Sequence, residues 1–322
     1  MLIDEFTIKL NQWGRQKVPF LFVVDFELEK PFACKLAEAE KNDILFKIDH
    51  MTNAFSDAGR TAVDMVPNPI PFAEYKRKFD KVAGHLEFGD SYLTNLTIKT
   101  GVTSQQSLRE LFFLSGAKYK LLFRNDFLVF SPETFVRIED QKIYTFPMKG
   151  TIDAAIPNAM ETLLLDPKEL AEHVTIVDLM RNDLSQVATR VAVTRFRYVE
   201  ELKTNRKNLL QVSSEIMGEL SPDYFSQLGT LLATLLPAGS VSGAPKTKTL
   251  AIIRDAEQEK RGYYTGVFGY FDGVMMESAV MIRFIENQGG RLFYRSGGGI
   301  TTQSEVGNEY REANDKIYVP ID

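Results

Sequence analysis

A single cysteine, Cys34, stands in 322 residues, which excludes an intrachain disulfide framework and fits a reducing, cytoplasmic setting. Histidine is scarce too. His50, His85 and His173 are the three present, and they lie too far apart in sequence to suggest a zinc site on spacing. No apolar run approaches the length of a membrane span, and the opening MLIDEFTIKLNQWGRQK has no signal-peptide core. An excess of positive charge is missing as well: the net charge is −5 and the pI is near 5.5. That argues against nucleic acid or an anionic membrane as the main partner. Neither an internal repeat nor a low-complexity segment occurs. These absences agree with a soluble enzyme, long enough for a sizeable core in one large domain or two small ones.

What is present is strand and helix chemistry in irregular order. FLFVVDFELEKPF reads as strand, and the proline-rich Pro67–Phe72 is the best candidate linker. It sets a short N-terminal portion, 1–72, beside a main domain, 73–322. FAEYKRKFDKVAGHLEFGD reads as helix, while SYLTNLTIKT, LLFRNDFLVF and KIYTFPMKGTI read as strand and turn. Asp166-Pro167-Lys168-Glu169 is a helix start with an N-cap, a first-position proline and a capping-box glutamate. Strands and helices mix without β-α-β alternation, which predicts an α+β fold.

The stretch from Phe268 to Lys316 is the most informative. Two strand patterns, YTGVFGY and VMMESAVMIRFIE, are joined at Asp272-Gly273, a good hairpin turn. Alternation along the second places Arg283 on one face with Ala279, Met281 and Ile285. A guanidinium on an apolar face is either at a sheet edge or waiting for an anion. Gly297, Gly298 and Gly299 in SGGGI form a glycine loop whose N–H groups can cradle an anion, or else a flexible turn. In EVGNEYREANDK, Glu309, Glu312 and Lys316 share one helical face. Such a stripe is either a solvated helix with an ordinary ion pair or a seat for a hard cation such as Mg²⁺.

The motifs EHVTIVDLMRND, PAGSVSGAPKTKTLAIIRDAE, MIRF, SGGGI and EYREANDK, in that order, resemble those of chorismate-utilising enzymes. That family includes anthranilate synthase component I, aminodeoxychorismate synthase component I, isochorismate synthases and salicylate synthases. The resemblance spans about residues 73–320. It implies two antiparallel sheets packed into a core with helices outside, and a reaction of chorismate with Mg²⁺. It implies Glu172, Glu309 and Glu312 as metal-site residues. Tyr264 and Arg283 would hold the substrate's carboxylate and enolpyruvyl groups, and the backbone of Gly297–Gly299 a carboxylate. Lys246 and Lys316 would be nearby cations, with Ser242 and Gly243 of SGAPK and Gln211 also at the substrate.

TFPMKGTI resembles the aminodeoxychorismate synthase branch, and this makes Lys149 the implied nucleophile and Glu133 of FSPETF the general acid. Two residues depart from family habit. Gln211 stands where a histidine is common and cannot shuttle a proton. Leu93 stands where isochorismate synthases carry a lysine, which disfavours attack by water. Cys34 has no glycine elbow or histidine partner, so ammonia is expected from a separate glutamine amidotransferase. The implied reaction is amination of chorismate at C4, towards para-aminobenzoate and folate. The alternatives are an anthranilate synthase component I and a non-catalytic chorismate-binding subunit.

Overall fold

In the computed structural model, which describes residues 1–55, 62–202 and 208–321, the strand Phe20–Val24 is buried at every position. Alternation explains its unbroken apolar run. Phe20, Phe22 and Val24 join a cluster with Phe6, Leu10 and Leu228, all from helices or helix starts. Leu21 and Val23 join a second cluster with Phe46, Leu121 and Val129, which belong to another sheet. A strand covered on both sides has no polar face to show.

Among the described residues each sheet has nine strands in antiparallel pairing, and helices lie outside. The α+β expectation of two antiparallel sheets holds. Phe20–Val24 pairs with Phe32–Lys35 on one edge and with Val267–Phe271 on the other. Ile44–Ile48, Met51–Thr52 and Met65–Asn68 belong to the second sheet. Residues 1–72 therefore supply strands to both sheets. The proline-rich stretch read as a linker opens inside the strand Met65–Asn68, which pairs along one side. Such an edge tolerates Pro67.

Helix Phe72–Phe88 buries Tyr75, Phe79, Val82 and Leu86, one stripe at helical spacing, against Leu96 and Ile98. Helix Pro167–Ser185 starts as the capping pattern requires, with the N–H of Glu169 donating to Asp166 Oδ1 at 3.0 Å. No helix among the described residues is long and apolar enough to cross a membrane.

VMMESAVMIRFIE is not one strand. Met276–Val280 belongs to the first sheet and Phe284–Gln288 to the second. Between them Met281–Arg283 crosses the gap, with Arg283 in the left-handed region at φ +55°. The alternation that put Arg283 with Ala279, Met281 and Ile285 is broken there. A second crossing runs beside it. Phe127–Ser131 in the second sheet passes through Pro132 and Glu133 into Thr134–Glu139 in the first. The N–H of Phe130 donates to Arg283 O at 2.9 Å, and that of Val280 to Glu133 O at 3.1 Å. Strands that switch sheets make corners, and here two corners lie side by side.

Candidate active site

Glu133 and Arg283 leave these corners into one cavity of about 580 Å³. Burial pushes the Glu133 carboxyl above its ordinary value, against Ser240, Lys149, Arg283 and Lys316, which all pull it down. Ser240 Oγ donates to Glu133 Oε1 at 2.5 Å. Arg283 pairs with no carboxylate among the described residues; its Nε is buried without a partner, and the Tyr318 ring lies 5.3 Å from its guanidinium. A buried cation left unpaired is suited to an anionic ligand. Tyr264 lines the same wall, and burial pushes its phenol up to about 12.

Lys149 enters the cavity from the strand Met148–Asp153. Its pairing with Leu209–Glu219 slips between Lys149 and Thr151, and Gly150 sits at φ +78° in the slip. A bulge of this kind re-aims the side chain beside it, and glycine takes the positive φ without strain. Lys149 Nζ donates to Glu172 Oε2 at 3.1 Å, so a carboxylate stands beside the implied nucleophile. Gln211, on the neighbouring strand opposite Thr151, lines the cavity, as does Leu93.

SGGGI is not a loop. Its residues end the strand Arg291–Ile300, with Gly297 opposite Thr97, Gly298 opposite Leu96 and Gly299 opposite Asn95. Phe284–Gln288, the partner on the other side, pairs only as far as Arg295, so the glycine stretch has one open edge. The N–H groups of Thr97 and Asn95 donate to Glu257 and Ser242 O instead of to the glycines. In an antiparallel ladder this turns the peptide groups of Gly297 and Gly299 to the open edge. Lys316 Nζ meets Gly297 O there at 3.0 Å.

A methyl built on Gly298 would lie 3.6 Å from Glu309 Oε2, from Glu312 Oε1 and from Lys316 Nζ. The acidic stripe of helix Val306–Asp315 thus comes to the glycine strand, with Lys316 donating to Glu312 Oε1 at 2.5 Å. Burial pulls the Lys316 ammonium below its ordinary value, against the pull of Glu312. Among the described residues no three acidic, histidine or cysteine side chains form a group that could hold a metal ion. Glu309 and Glu312 nevertheless offer two hard oxygen ligands at one point, and Mg²⁺ needs only one or two carboxylates beside substrate and water. Glu172 lines the same cavity and accepts from Lys149.

Two expected substrate residues lie elsewhere. Lys246 donates to Asp183 Oδ2 at 3.0 Å and to Leu235 O at 3.2 Å, away from the cavity lining. Gly243, at φ +137°, packs so closely on Leu93 O that a methyl would come within 1.9 Å of it. Ser242 lines the cavity, but its hydroxyl donates to Ala238 O at 3.0 Å. Lining residues the motifs did not single out include Ser240, Tyr318 and Asn95, whose buried Oδ1 has no partner. Ser240 was within PAGSVSGAPK and could have been noticed; Tyr318 has no comparable pattern around it.

An uncharacterised PabA-like protein of Pasteurella multocida is 50% identical over 323 residues, covering all of both chains. Aminodeoxychorismate synthase component 1 of Klebsiella aerogenes is 33% identical over 260 residues, 76% of this chain and 56% of that enzyme. This chain thus spans little more than half the length of that relative. The crystal structure of anthranilate synthase component I from Streptococcus pneumoniae superposes with a TM-score of 0.66 at 30% identity, covering 82% of this chain and 60% of that one. Residues 18–322 match the chorismate binding enzymes, a span that takes in both sheets, both corners and the whole lining of the cavity. By that match the chain belongs to the family of chorismate binding enzymes.

Proposed function

We propose that this chain aminates chorismate at C4 with ammonia, giving 4-amino-4-deoxychorismate, a precursor of para-aminobenzoate and folate. The observation that carries the reading is the convergence of Lys149 and Glu133 on one cavity with Arg283, which has no carboxylate partner among the described residues. The likeness to the Klebsiella enzyme supports it. Arg283, Tyr264 and the open edge of the glycine strand would hold the substrate dianion. Mg²⁺, held by Glu309 and Glu312 with Glu172 as a further ligand, would supply positive charge against the substrate's carboxylate.

The amine of Lys149 forms a bond to C2 as the ring double bonds shift and the C4–O bond breaks. Glu133 gives its proton to the departing oxygen, which leaves as water. Ammonia then bonds to C4, the double bonds shift back, and the lysine leaves C2. Leu93 offers no base to activate water, and Gln211 can orient a substrate hydroxyl by hydrogen bonding. Ammonia would come from a glutamine amidotransferase.

The likeness to the pneumococcal anthranilate synthase favours a second reading, amination at C2 with loss of pyruvate. The deciding experiment incubates the pure chain with chorismate, Mg²⁺ and ammonium, and identifies the product by mass spectrometry. The 4-amino product is expected. Anthranilate would transfer the assignment to the second reading, and no turnover would point to a chorismate-binding subunit.

A further inference from the structure

The turn Gly239–Val241 is held from three sides, and Ser240 is the residue it presents to the cavity. From one side Asp183 Oδ2 lies so near Gly239 that an added methyl would come within 2.6 Å of it, and Lys246 fixes that carboxylate at 3.0 Å. From another the guanidinium of Arg261 donates to Val241 O at 2.8 Å and is itself clamped by Glu257 at 2.6 Å. From the third Ser242 Oγ donates to Ala238 O at 3.0 Å. So much fixing of a three-residue turn has one visible product in the cavity, the bond from Ser240 Oγ to Glu133 Oε1.

We infer that Ser240 is the positioning residue of the proton donor: its hydroxyl engages Oε1 of Glu133 and leaves Oε2 to carry and deliver the proton. The inference rests on the reading of Glu133 as general acid. A carboxyl has two oxygens, and a donor fixed on one of them favours the acidic proton on the other. Once the proton has gone to the leaving hydroxyl, the same bond stabilises the carboxylate left behind. Lys149, Arg283 and Lys316 act on Glu133 in the same sense through their charge, from the bulged strand, the corner and the end of the acidic helix. Glu172, Glu309 and Glu312 line the same cavity. Lys246, Asp183 and Arg261 thereby have a role in the reaction without touching substrate.

Removing the Ser240 donor leaves burial of Glu133 less opposed, so its proton should be held to higher pH. In Ser240→Ala, kcat should fall about ten- to a hundredfold with KM nearly unchanged, and the alkaline limb of the pH–rate profile should move up. Ser240→Thr, which keeps the hydroxyl, should return the limb towards its wild-type position. A ¹³C-carboxyl NMR titration, with the Glu133 signal assigned by Glu133→Gln, reads the same shift without turnover. An unmoved Glu133 titration in Ser240→Ala overturns the inference. Should the alanine variant not fold, Ser240→Cys keeps the volume and weakens the donor, and an unmoved titration there has the same force. Full activity in Glu133→Gln would instead remove the general-acid reading. Loss of activity in Glu133→Gln beside an unchanged pH profile in Ser240→Ala would remove the inference alone.

Discussion

At Lys149 the local backbone explains why the motif is lysine followed by glycine. Gly150 at φ +78° allows the pairing slip, and the slip directs the amine into the cavity. If the amine attacks chorismate, wild-type protein given chorismate without ammonia should gain a substrate-derived mass on Lys149 in intact-protein spectrometry. Lys149→Ala should show no adduct and lose the 4-amino product by orders of magnitude; near-wild-type product from that variant would leave the lysine an electrostatic role. Glu312→Gln keeps the shape of the side chain but removes a hard anionic ligand. Turnover titrated with Mg²⁺ should then require far more metal or fall steeply at all concentrations, and an unchanged titration would take Glu312 out of the metal site. At this scale the motifs brought together most of the cavity's residues, while Lys246 and Gly243 lie outside its lining. Those two belong to a motif beside the cavity, and a motif marks a neighbourhood without saying which of its side chains face inward.

Among elements, the glycine strand and the acidic helix form one unit, since Gly298 faces Glu309, Glu312 and Lys316 while a methyl on Gly299 would face the other way. That methyl would come within 2.9 Å of Leu93 Cδ1 and 3.3 Å of Lys149 Nζ. Gly299→Ala should therefore fold, shift the lysine, and lower kcat by about a hundredfold, with circular dichroism and melting temperature reporting the intact fold. Wild-type kinetics would show that the lysine has room to spare. Helices Phe72–Phe88 and Pro167–Ser185 were legible because apolar spacing and capping are local properties. The break at Met281–Arg283 was not. Apolar alternation reports that a residue is covered and carries no mark of which sheet covers it, so the run from Met276 through Ile285 reads as one strand. SGGGI reads as a loop in the sequence for a related reason: glycine lacks strand propensity, and its pairing with Asn95, Leu96 and Thr97 depends on a partner about 200 residues away.

If the chain aminates chorismate, the molecule as a whole needs a source of ammonia. Cys34 is buried, and burial pushes its thiol up to about 11, the reverse of what a glutaminase nucleophile needs. The isolated chain should form amine product from ammonium salts and none from glutamine until an amidotransferase is added. Product from glutamine alone, abolished by Cys34→Ala, would show that the chain carries its own glutaminase. The α+β class was visible in the sequence and the two sheets were implied by the family resemblance, but the weaving of residues 1–72 through both sheets was not, because pairing over such distances leaves no local trace. That weaving has a consequence for synthesis in the cell. Phe20–Val24 leaves the ribosome early, yet its partner Val267–Phe271 follows only after most of the chain. At ordinary elongation rates the interval is roughly 10 to 50 s. Throughout it, five consecutive apolar residues lack the strand that closes one of their edges, even though the helix carrying Phe6 and Leu10 is already made. The nascent protein is therefore a natural client for chaperones, and its yield on expression will depend on how that one strand is guarded while the rest is made.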